Sequence, residues 1–465
     1  MKKGIVTSYV SGLSDTHGES YTRILKYFVP EFVTAFLLYS LPFWLDAYFI
    51  SSLKSTSTYA TLGVTSTLVH LLIKVAEGVS VGTVILSGMF NSRGEYKDVG
   101  RSARDAFWLN MLVGAVFASA LYLGAYRIYA FYGVPDKMIQ LGVPFLRLQA
   151  MGLLFMFTSL SFIGFLRGIK NTKVPMAIFI TGIFTFVIFD YVLIFGKMGF
   201  PALGLEGSAI ASVIRYGVMA LAAIGYTFLH PHNRKYGIEL FSIMRDISYG
   251  WRLVVLSLPV ILDKSIMALA YVWLSSMLCT LGKEGAAAFS VLKDMERFAI
   301  LPALAFAQVI TLLVSNDYGV QNWDGIKSNT KKILFLSSVM VIGVLLFFGM
   351  FYEQLICLFD TKGKFTGLAA QAFPILSVLI FFDLLQLILA GALRASGNAN
   401  IVMIVRLAVC VGFFGPLSYL FSKMQIADNS WRFILIYGAF YVGNALMSLA
   451  YIHRFRGKNW NKQSI

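Results

Sequence analysis

Residues Phe381–Asn400 read FFDLLQLILAGALRASGNAN, and this stretch decides how the rest of the chain is interpreted. Its first half is an apolar helix pattern that contains one carboxylate, Asp383. Its second half reaches Arg394 and then Ser-Gly-Asn, residues that end helices and form turns. A carboxylate inside a membrane helix is expensive and usually functional. The stretch therefore predicts a membrane helix with a functional acid, followed by a tight turn.

The stretch has a counterpart in the first half of the chain. Phe165–Met176 aligns with Ala392–Met403, so that Leu, Arg, Asn and Met coincide at one offset. This offset, the separation of Arg167 from Arg394, is termed the repeat offset. A second element, Asn91–Asp98, aligns with Asp317–Asp324 when the offset is shortened by one position. Because each half would hold six helices, both enter and leave on the same side, which predicts two parallel repeats with substrate at their interface.

The composition predicts an all-α polytopic membrane protein. Hydrophobic residues make up 58% of the 465 residues, charged residues only 13%, and the mean hydropathy is +0.73. Those values exclude an ordinary soluble protein. The polar start of the chain lacks a signal-peptide pattern and is interpreted as a cytoplasmic tail. The three cysteines have no metal-ligand spacing.

Twelve segments are apolar and long enough to span a bilayer. They are 27–50, 60–90, 104–126, 142–166, 174–196, 205–229, 248–275, 285–315, 331–351, 372–395, 400–422 and 430–452. Of the Lys and Arg residues outside them, 22 fall in the tails and alternate loops on one side and nine on the other. Since positive charge collects in cytoplasmic loops, both termini are predicted to be cytoplasmic.

These segments divide the chain into two lobes, one linker between them and two tails. Residues 1–26 are the amino-terminal tail, 27–229 the amino lobe, 230–247 a cytoplasmic linker, 248–452 the carboxy lobe and 453–465 the carboxy-terminal tail. The net charge of +16 follows from the membrane topology. The expected partners are therefore the lipid bilayer and a small-molecule substrate, and no nucleic acid.

Two acids in the amino lobe lie deep in apolar segments. Asp46 is in the first segment and Asp190 in the fifth, both in the outer third of a helix that runs outward. Apolar surroundings favour the protonated acid. Two such carboxylates close together share protons or hold a monovalent cation. The alternative is that each acid is hydrogen-bonded to a neighbouring helix in a structural role.

The carboxy lobe has its own buried acids. Gln386 follows Asp383 by one turn on the same helix face. Asp263 follows Pro259, which bends its helix, and Lys264 stands beside it. For Asp263 and Lys264 a mutual or cross-helix ion pair and a substrate-binding role both stay open.

Two charge clusters exceed what structure needs, and such charges line a wet cavity or pair across the lobe interface. The clusters are His70, Lys74 and Glu77 on the second segment, and Lys293, Asp294, Glu296 and Arg297 on the eighth. Arg215 in the sixth segment belongs to the same class. Arg167 and Arg394 lie near cytoplasmic helix ends, where snorkelling explains them.

The chain resembles the multidrug and toxic compound extrusion (MATE) transporters along nearly its whole length. The resemblance rests on Asp46, Arg167–Met176, Asp190–Gly196, Gly204–Ser212, Leu313–Gly319 and Asp383–Arg394. It implies two six-helix lobes that form a V-shaped cleft. It also implies export of organic cations or other amphipathic compounds in exchange for H⁺ or Na⁺.

The resemblance also assigns roles to residues. Asp46 and Asp190 match the coupling acids of the amino lobe, and Ser212 stands where the family often has a threonine. Asp383 matches the cation-site aspartate of the carboxy lobe. Phe186 replaces an asparagine that often precedes the fifth-helix acid. This loss of an oxygen ligand favours H⁺ over a Na⁺ ion at Asp190 or Asp383, and no other cofactor is expected.

The leading hypothesis is a monomeric secondary-active antiporter of the inner or plasma membrane. The alternative is a flippase of the same superfamily for a lipid-linked or anionic substrate, motivated by the basic side chains above. An enzyme is not expected, because zinc motifs, nucleophile elbows and phosphate-binding glycine loops are missing from the sequence. A channel is disfavoured because duplication predicts rocking lobes.

Overall fold

A computed structural model describes residues 17–51, 55–242, 247–360, 363–424, 426, 428–457 and 460–461 of the chain. Regular structure within these ranges is helical. The helices are α1 (Tyr21–Tyr39), α2 (Leu41–Ser51), α3 (Thr56–Arg93), α4 (Tyr96–Phe131), α5 (Asp136–Gly168), α6 (Lys173–Phe195), α7 (Leu205–Leu229), α8 (Ile247–Cys279), α9 (Gly282–Gly319), α10 (Trp323–Phe359), α11 (Thr366–Ala395), α12 (Ala399–Val409), α13 (Gly415–Lys423) and α14 (Asn429–Arg456). A 3₁₀ helix, Pro231–Tyr236, follows α7, and a π-helical turn, Cys410–Phe414, joins α12 to α13.

The predicted membrane segments are confirmed as helices. In the described part of the chain, eleven helices are long and apolar enough to cross a membrane. The first predicted segment, 27–50, is instead divided at Ser40 between α1 and α2. Pro42 is the second residue of α2, a position at which a missing N–H costs no intrahelical hydrogen bond. The eleventh segment corresponds to α12 and α13 with the π-helical turn between them.

The chain forms two compact units whose limits lie inside helices. Val29–Ile261 form one unit, termed the amino unit; the described residues up to Phe28 and those from Leu262 onward form the other, termed the carboxy unit. The limits divide α1 and α8, so the first half of α8 packs within the amino unit. Each unit has one central helix. In the amino unit α5 packs against α3, α4 and α7, and in the carboxy unit α11 packs against α9, α10 and α14.

The same glycine position lets both central helices approach a neighbour. A Cβ atom on Gly164 of α5 would lie 2.7 Å from the carbonyl oxygen of Ser80 on α3. A Cβ atom on Gly391 of α11 would lie 3.1 Å from the carbonyl oxygen of Ala307 on α9. The two glycines, and likewise Ser80 and Ala307, are separated by the repeat offset. Small residues at such contacts allow close backbone packing between membrane helices.

The turns after the two central helices are also equivalent. Lys170 and Gly397, again separated by the repeat offset, have φ angles of 61° and 79°. In each turn the next residue donates its backbone N–H at 2.9 Å, from Asn171 to the Leu166 carbonyl and from Asn398 to that of Leu393. The predicted turn is therefore confirmed in both halves.

The second duplicated element has a different register from the predicted one. Gly94 and Gln321 hold the equivalent left-handed position, with φ angles of 77° and 57°. The hydrogen bond from the Glu95 N–H to the Phe90 carbonyl recurs between Asn322 and Asp317. These pairs are separated by the full repeat offset, so the shorter predicted offset is wrong. Alignment by residue type gave the wrong register for this element, because its turn geometry repeats and its residue types do not.

Asp360 anchors the start of α11 outside the membrane-spanning segments. Its Oδ2 atom accepts hydrogen bonds from the backbone N–H groups of Phe365 at 2.7 Å and Thr366 at 2.8 Å, and from the Thr366 hydroxyl at 2.9 Å. Burial works to raise the pKa of Asp360, but these donors outweigh it and lower the pKa to about 2. The carboxylate thereby satisfies N–H groups that a helix start leaves without partners.

Candidate functional site

The helices that carry the two predicted amino-lobe acids pack against each other. On α2, the Phe49 ring lies 6.3 Å from the ring of Tyr191 and 6.2 Å from that of Phe195 on α6. Asp190, next to Tyr191, is completely buried. Asp46 lies on α2 one turn before Phe49, but its side chain is outside the described part of the structure. The fold therefore brings the two helices together and buries Asp190 close to their aromatic contact.

The amino unit contains a cavity of about 60 Å³, and Phe145 in its lining belongs to the apolar cluster against which Phe49 and Phe195 pack. Helices α1, α2, α3, α5 and α7 contribute to its walls. Its polar lining includes five residues singled out from the sequence, His70, Lys74, Glu77, Ser212 and Arg215, and one that was not, Gln149. The charged stripe of α3 and the serine of α7, far apart in sequence, thus belong to one site.

On the α3 side of the cavity, Lys74 and Glu77 form an ion pair. Lys74 Nζ lies 3.0 Å from Oε1 and 3.2 Å from Oε2 of Glu77. The Tyr39 hydroxyl donates to Glu77 Oε1 at 3.0 Å, and Lys74 Nζ lies 4.1 Å above the Tyr39 ring. Nearby, His70 Nδ1 is 2.7 Å from the carbonyl oxygen of Ser66, which makes that nitrogen the protonated one. The Lys74 charge is therefore balanced by Glu77.

On the opposite side, Arg215 of α7 is buried against aromatic rings. It is 4% exposed, and the guanidinium carbon lies 5.5 Å from the Phe186 ring centre and 5.2 Å from that of Tyr216. Within the described ranges it forms no ion pair with a carboxylate, and its Nε donates no hydrogen bond. Phe186 precedes Asp190 by one turn of α6, so Arg215 adds a fixed positive charge to this region.

Asp383 of the carboxy unit lies in a network of amides. Gln386 Nε2 and Asn444 Nδ2 donate to Asp383 Oδ1 at 2.9 Å and 3.0 Å. Gln386 Oε1 accepts a hydrogen bond from Arg406 Nη2 at 2.7 Å. The predicted Asp383–Gln386 pair is therefore present, and Gln386 links the carboxylate to a buried arginine.

The same arginine binds Asp263. Arg406 Nε lies 2.9 Å and Arg394 Nε 3.7 Å from carboxylate oxygens of Asp263, which is completely buried. Lys264 stands beside Asp263 and is half-buried. The geometry of Asp263 is that of the cross-helix ion pair. Snorkelling is the wrong interpretation of Arg394, because its side chain is buried and faces an acid.

The four charged residues that the sequence clusters in the eighth segment have different surroundings on α9. Glu296 is buried and accepts hydrogen bonds from the hydroxyls of Tyr271, at 3.1 Å, and Tyr437. Asp294 and Arg297 form an ion pair at 3.3 Å. Lys293 Nζ lies 5.4 Å from the centres of the Tyr271 and Phe289 rings. Glu296 alone of the four points into the carboxy unit's core.

Sequence reasoning missed a buried ion pair in the amino unit. Glu31 of α1 is 1% exposed and receives two hydrogen bonds from Arg167, with Nε at 2.9 Å and Nη2 at 2.7 Å. The snorkelling interpretation of Arg167 is therefore wrong. A signal was available, because Glu31 is an acid inside the apolar segment 27–50 and the rule applied to Asp46 covers it equally.

A family model described as MatE matches residues 32–192 and 259–420. The second match begins at residue 259, which the repeat offset relates to residue 32, where the first begins. Two matches to one model, one in each half, agree with a duplicated chain.

Curated relatives match over most of their length. "Probable multidrug resistance protein YoeA" of Bacillus subtilis is 24% identical over 393 residues, covering 80% of this chain and 83% of the relative. "Probable multidrug resistance protein NorM" of Bacillus cereus is 23% identical over 459 residues, covering 94% and 97%. A solved structure described as the outward-facing conformation of a multidrug resistance MATE family transporter superposes with a TM-score of 0.86 at 17% identity, over 97% of both chains. This last likeness shows the fold.

Proposed function

This chain belongs to the MATE family of multidrug efflux transporters, and from that premise we propose that it is a secondary-active antiporter. It is a multi-pass membrane protein. In our proposal it exports amphipathic organic compounds across the inner or plasma membrane, as a monomer with both termini in the cytoplasm. The driving ion is H⁺ in preference to Na⁺, Asp190 is the principal coupling residue, and Asp46 is the second.

The observation that carries the proposal is the complete burial of Asp190 in a membrane helix. An ionised carboxylate there is costly, whereas the protonated acid is tolerated. Proton binding from the outside therefore changes the energy of the amino unit. If the protonated and ionised forms favour different access states and cargo prefers the opposite state, ion entry drives cargo export.

The choice of H⁺ over Na⁺ is supported by the groups around Asp190. Phe186 offers no oxygen ligand, and the guanidinium of Arg215 lies 5.5 Å from its ring. Na⁺ binding needs several oxygen ligands and is opposed by a resident positive charge. A proton needs one carboxylate oxygen.

Asp383 is proposed to contribute in the carboxy unit. It accepts hydrogen bonds from Gln386 and Asn444, and Gln386 links it to Arg406. Cargo or ion binding that disturbs these hydrogen bonds would change the protonation of Asp383. Its role is thus secondary to that of Asp190 and separable from it by mutation.

Transport in proteoliposomes tests the proposal. Two fluorescent dyes serve as cargo: ethidium, a permanent cation, and rhodamine B, which carries a cation and a carboxylate. Each is followed under an imposed pH gradient and then under an imposed Na⁺ gradient. We expect at least one dye to move against the pH gradient at a rate that Asp190→Asn reduces to that of protein-free vesicles. Asp136→Asn, at an exposed helix start, is the matched control and should transport normally.

Three results would contradict parts of the proposal. Transport that follows only the Na⁺ gradient would overturn the choice of ion. Normal coupling in Asp190→Asn would overturn the role of that residue. Movement of neither dye under either gradient would contradict antiport of amphipathic compounds, provided that the protein elutes as a folded species after reconstitution.

A further inference from the structure

Arg215 is a buried charge without a neutralising partner in the described part of the chain. A guanidinium stays protonated at any physiological pH. Burying such a charge without an anion is costly, and contact with the Phe186 and Tyr216 rings recovers only part of that cost. No carboxylate of the described residues lies within ion-pair distance of it. An anion in the adjoining cavity would supply the counter-charge that the described residues do not.

Lys74, the other cation that lines the cavity, is already paired with a carboxylate and does not need an anion from outside. Both carboxylate oxygens of Glu77 lie within 3.2 Å of Lys74 Nζ, and the Tyr39 ring covers the ammonium group. With Lys74 and Glu77 cancelling, Arg215 carries the uncompensated charge among the described residues that line the cavity. The cavity is therefore electropositive on its α7 side.

Two further polar side chains on this side have unused hydrogen-bonding capacity. Ser212 is 5% exposed and lies one turn before Arg215 on α7, and Gln149 of α5 is 8% exposed. Both line the cavity, and neither side chain makes a hydrogen bond within the described ranges. A hydroxyl, an amide and a guanidinium that line one cavity with free donors are the groups that bind a carboxylate or similar oxyanion.

The cavity is large enough for one functional group of a ligand but too small for a whole drug molecule. Its volume of about 60 Å³ corresponds to about four water molecules, at roughly 15 Å³ each. A carboxylate with its first carbon fits that space. The remainder of an amphipathic molecule would lie outside it.

We propose that this cavity is an anion subsite that binds the carboxylate of zwitterionic or anionic cargo through Arg215, Ser212 and Gln149. The inference rests on the proposed transport function and names the cargo class for it. Exported compounds then include carboxylate-bearing amphipaths, and an esterified compound of the same shape binds more weakly. Arg215 is the specificity-determining residue.

Equilibrium binding tests the proposal without any ion gradient, so its outcome is independent of coupling. The protein in nanodiscs is titrated against rhodamine B and against rhodamine B ethyl ester, in which the carboxylate is blocked, by fluorescence anisotropy. We expect wild type to bind the free acid at least about tenfold more tightly, the usual worth of one charge-assisted hydrogen bond. Arg215→Gln should abolish that preference by weakening the acid and leaving the ester unchanged.

Two further variants separate binding from folding. Arg215→Lys keeps the charge but loses the planar fork, so it should retain an intermediate preference. Arg147→Gln removes a charge from α5 outside the cavity lining, where Arg147 Nε donates to the Tyr122 carbonyl at 3.3 Å, and should bind both dyes as wild type does. Ester binding reports that each variant is folded.

The proposal is overturned if Arg215→Gln keeps the wild-type preference, or if it weakens acid and ester equally, since equal loss is the signature of a structural role. Competition distinguishes the source of the anion. Displacement of rhodamine B by benzoate supports a cargo subsite. Displacement by chloride or inorganic phosphate at lower concentrations than by benzoate would assign the cavity to an inorganic ion and overturn the cargo assignment.

Discussion

At the scale of single residues, the arginine that recurs at the repeat offset faces a buried carboxylate in both halves of the chain. Arg167 binds Glu31 on the first helix of the amino repeat, and Arg394 faces Asp263 on the first helix of the carboxy repeat. The acids are not at equivalent positions, because the repeat offset relates Glu31 to Leu258. The arginine therefore recurs at the repeat offset, whereas the acid that it faces lies at a different position in each half.

We predict that Glu31→Gln lowers the free energy of unfolding by about 3 kcal/mol, because it leaves the buried Arg167 guanidinium without its anion. Titration from a mild detergent into SDS, followed by circular dichroism, measures the change. The double variant Glu31→Gln with Arg167→Met removes both charges and should recover at least half of the loss. Equal stability of the single and double variants would contradict a buried ion pair at this place.

The sequence predicted individual acids but not their partners on other helices. Asp190 and Asp383 stood out because a carboxylate in an apolar segment is expensive wherever it lies along the chain. The partners of Asp263, by contrast, lie on α11 and α12, far along the chain, and which helix faces meet depends on packing in three dimensions. Periodicity alone cannot give that information. Arg215 was recognised as a membrane charge, but its uncompensated state needed the structure.

At the scale of elements, the helices were predictable because hydropathy is a local property. Every predicted segment coincides with helix, and the errors lie where local rules compete. The first segment is divided at Ser40 despite continuous hydropathy. The turn after α3 was placed one residue out of register because its two copies share geometry and few residue types.

That turn carries a prediction about backbone strain. Gln321 has a φ of 57° and is exposed, and its equivalent Gly94 has a φ of 77° with open space where a Cβ atom would lie. Because left-handed backbone disfavours side chains, Gln321→Gly should stabilise the protein by about 0.5 to 1 kcal/mol. Gly94→Gln should destabilise it by a similar amount. The same SDS titration measures both.

Opposite signs for the two exchanges are the decisive feature of this prediction. If Gln321→Gly destabilised the protein, the side chain of Gln321 would have to contribute more than its backbone strain costs. If Gly94→Gln were neutral, the left-handed conformation would not limit the choice of residue in this turn.

At the scale of the whole molecule, the residues that shape the fold are duplicated and those of the candidate sites are not. The packing glycines, the turn geometry and the arginines recur at the repeat offset. The residues of the candidate sites do not: the positions equivalent to Asp190, Arg215 and Asp383 are Leu417, Val442 and Met156. The two repeats thus share packing and turn geometry, whereas the polar residues of the candidate sites each occur in one repeat only. This asymmetry favours different tasks for the two units.

The central claim is that cargo export and proton entry are one process that depends on Asp190. The most direct measurement records dye and internal pH in the same proteoliposomes, with no imposed ion gradient, after a dye gradient is applied. The account predicts that dye flux drives protons in the opposite direction and that Asp190→Asn abolishes this proton flux. Dye flux in wild type with constant internal pH, whether or not Na⁺ is present, would contradict it.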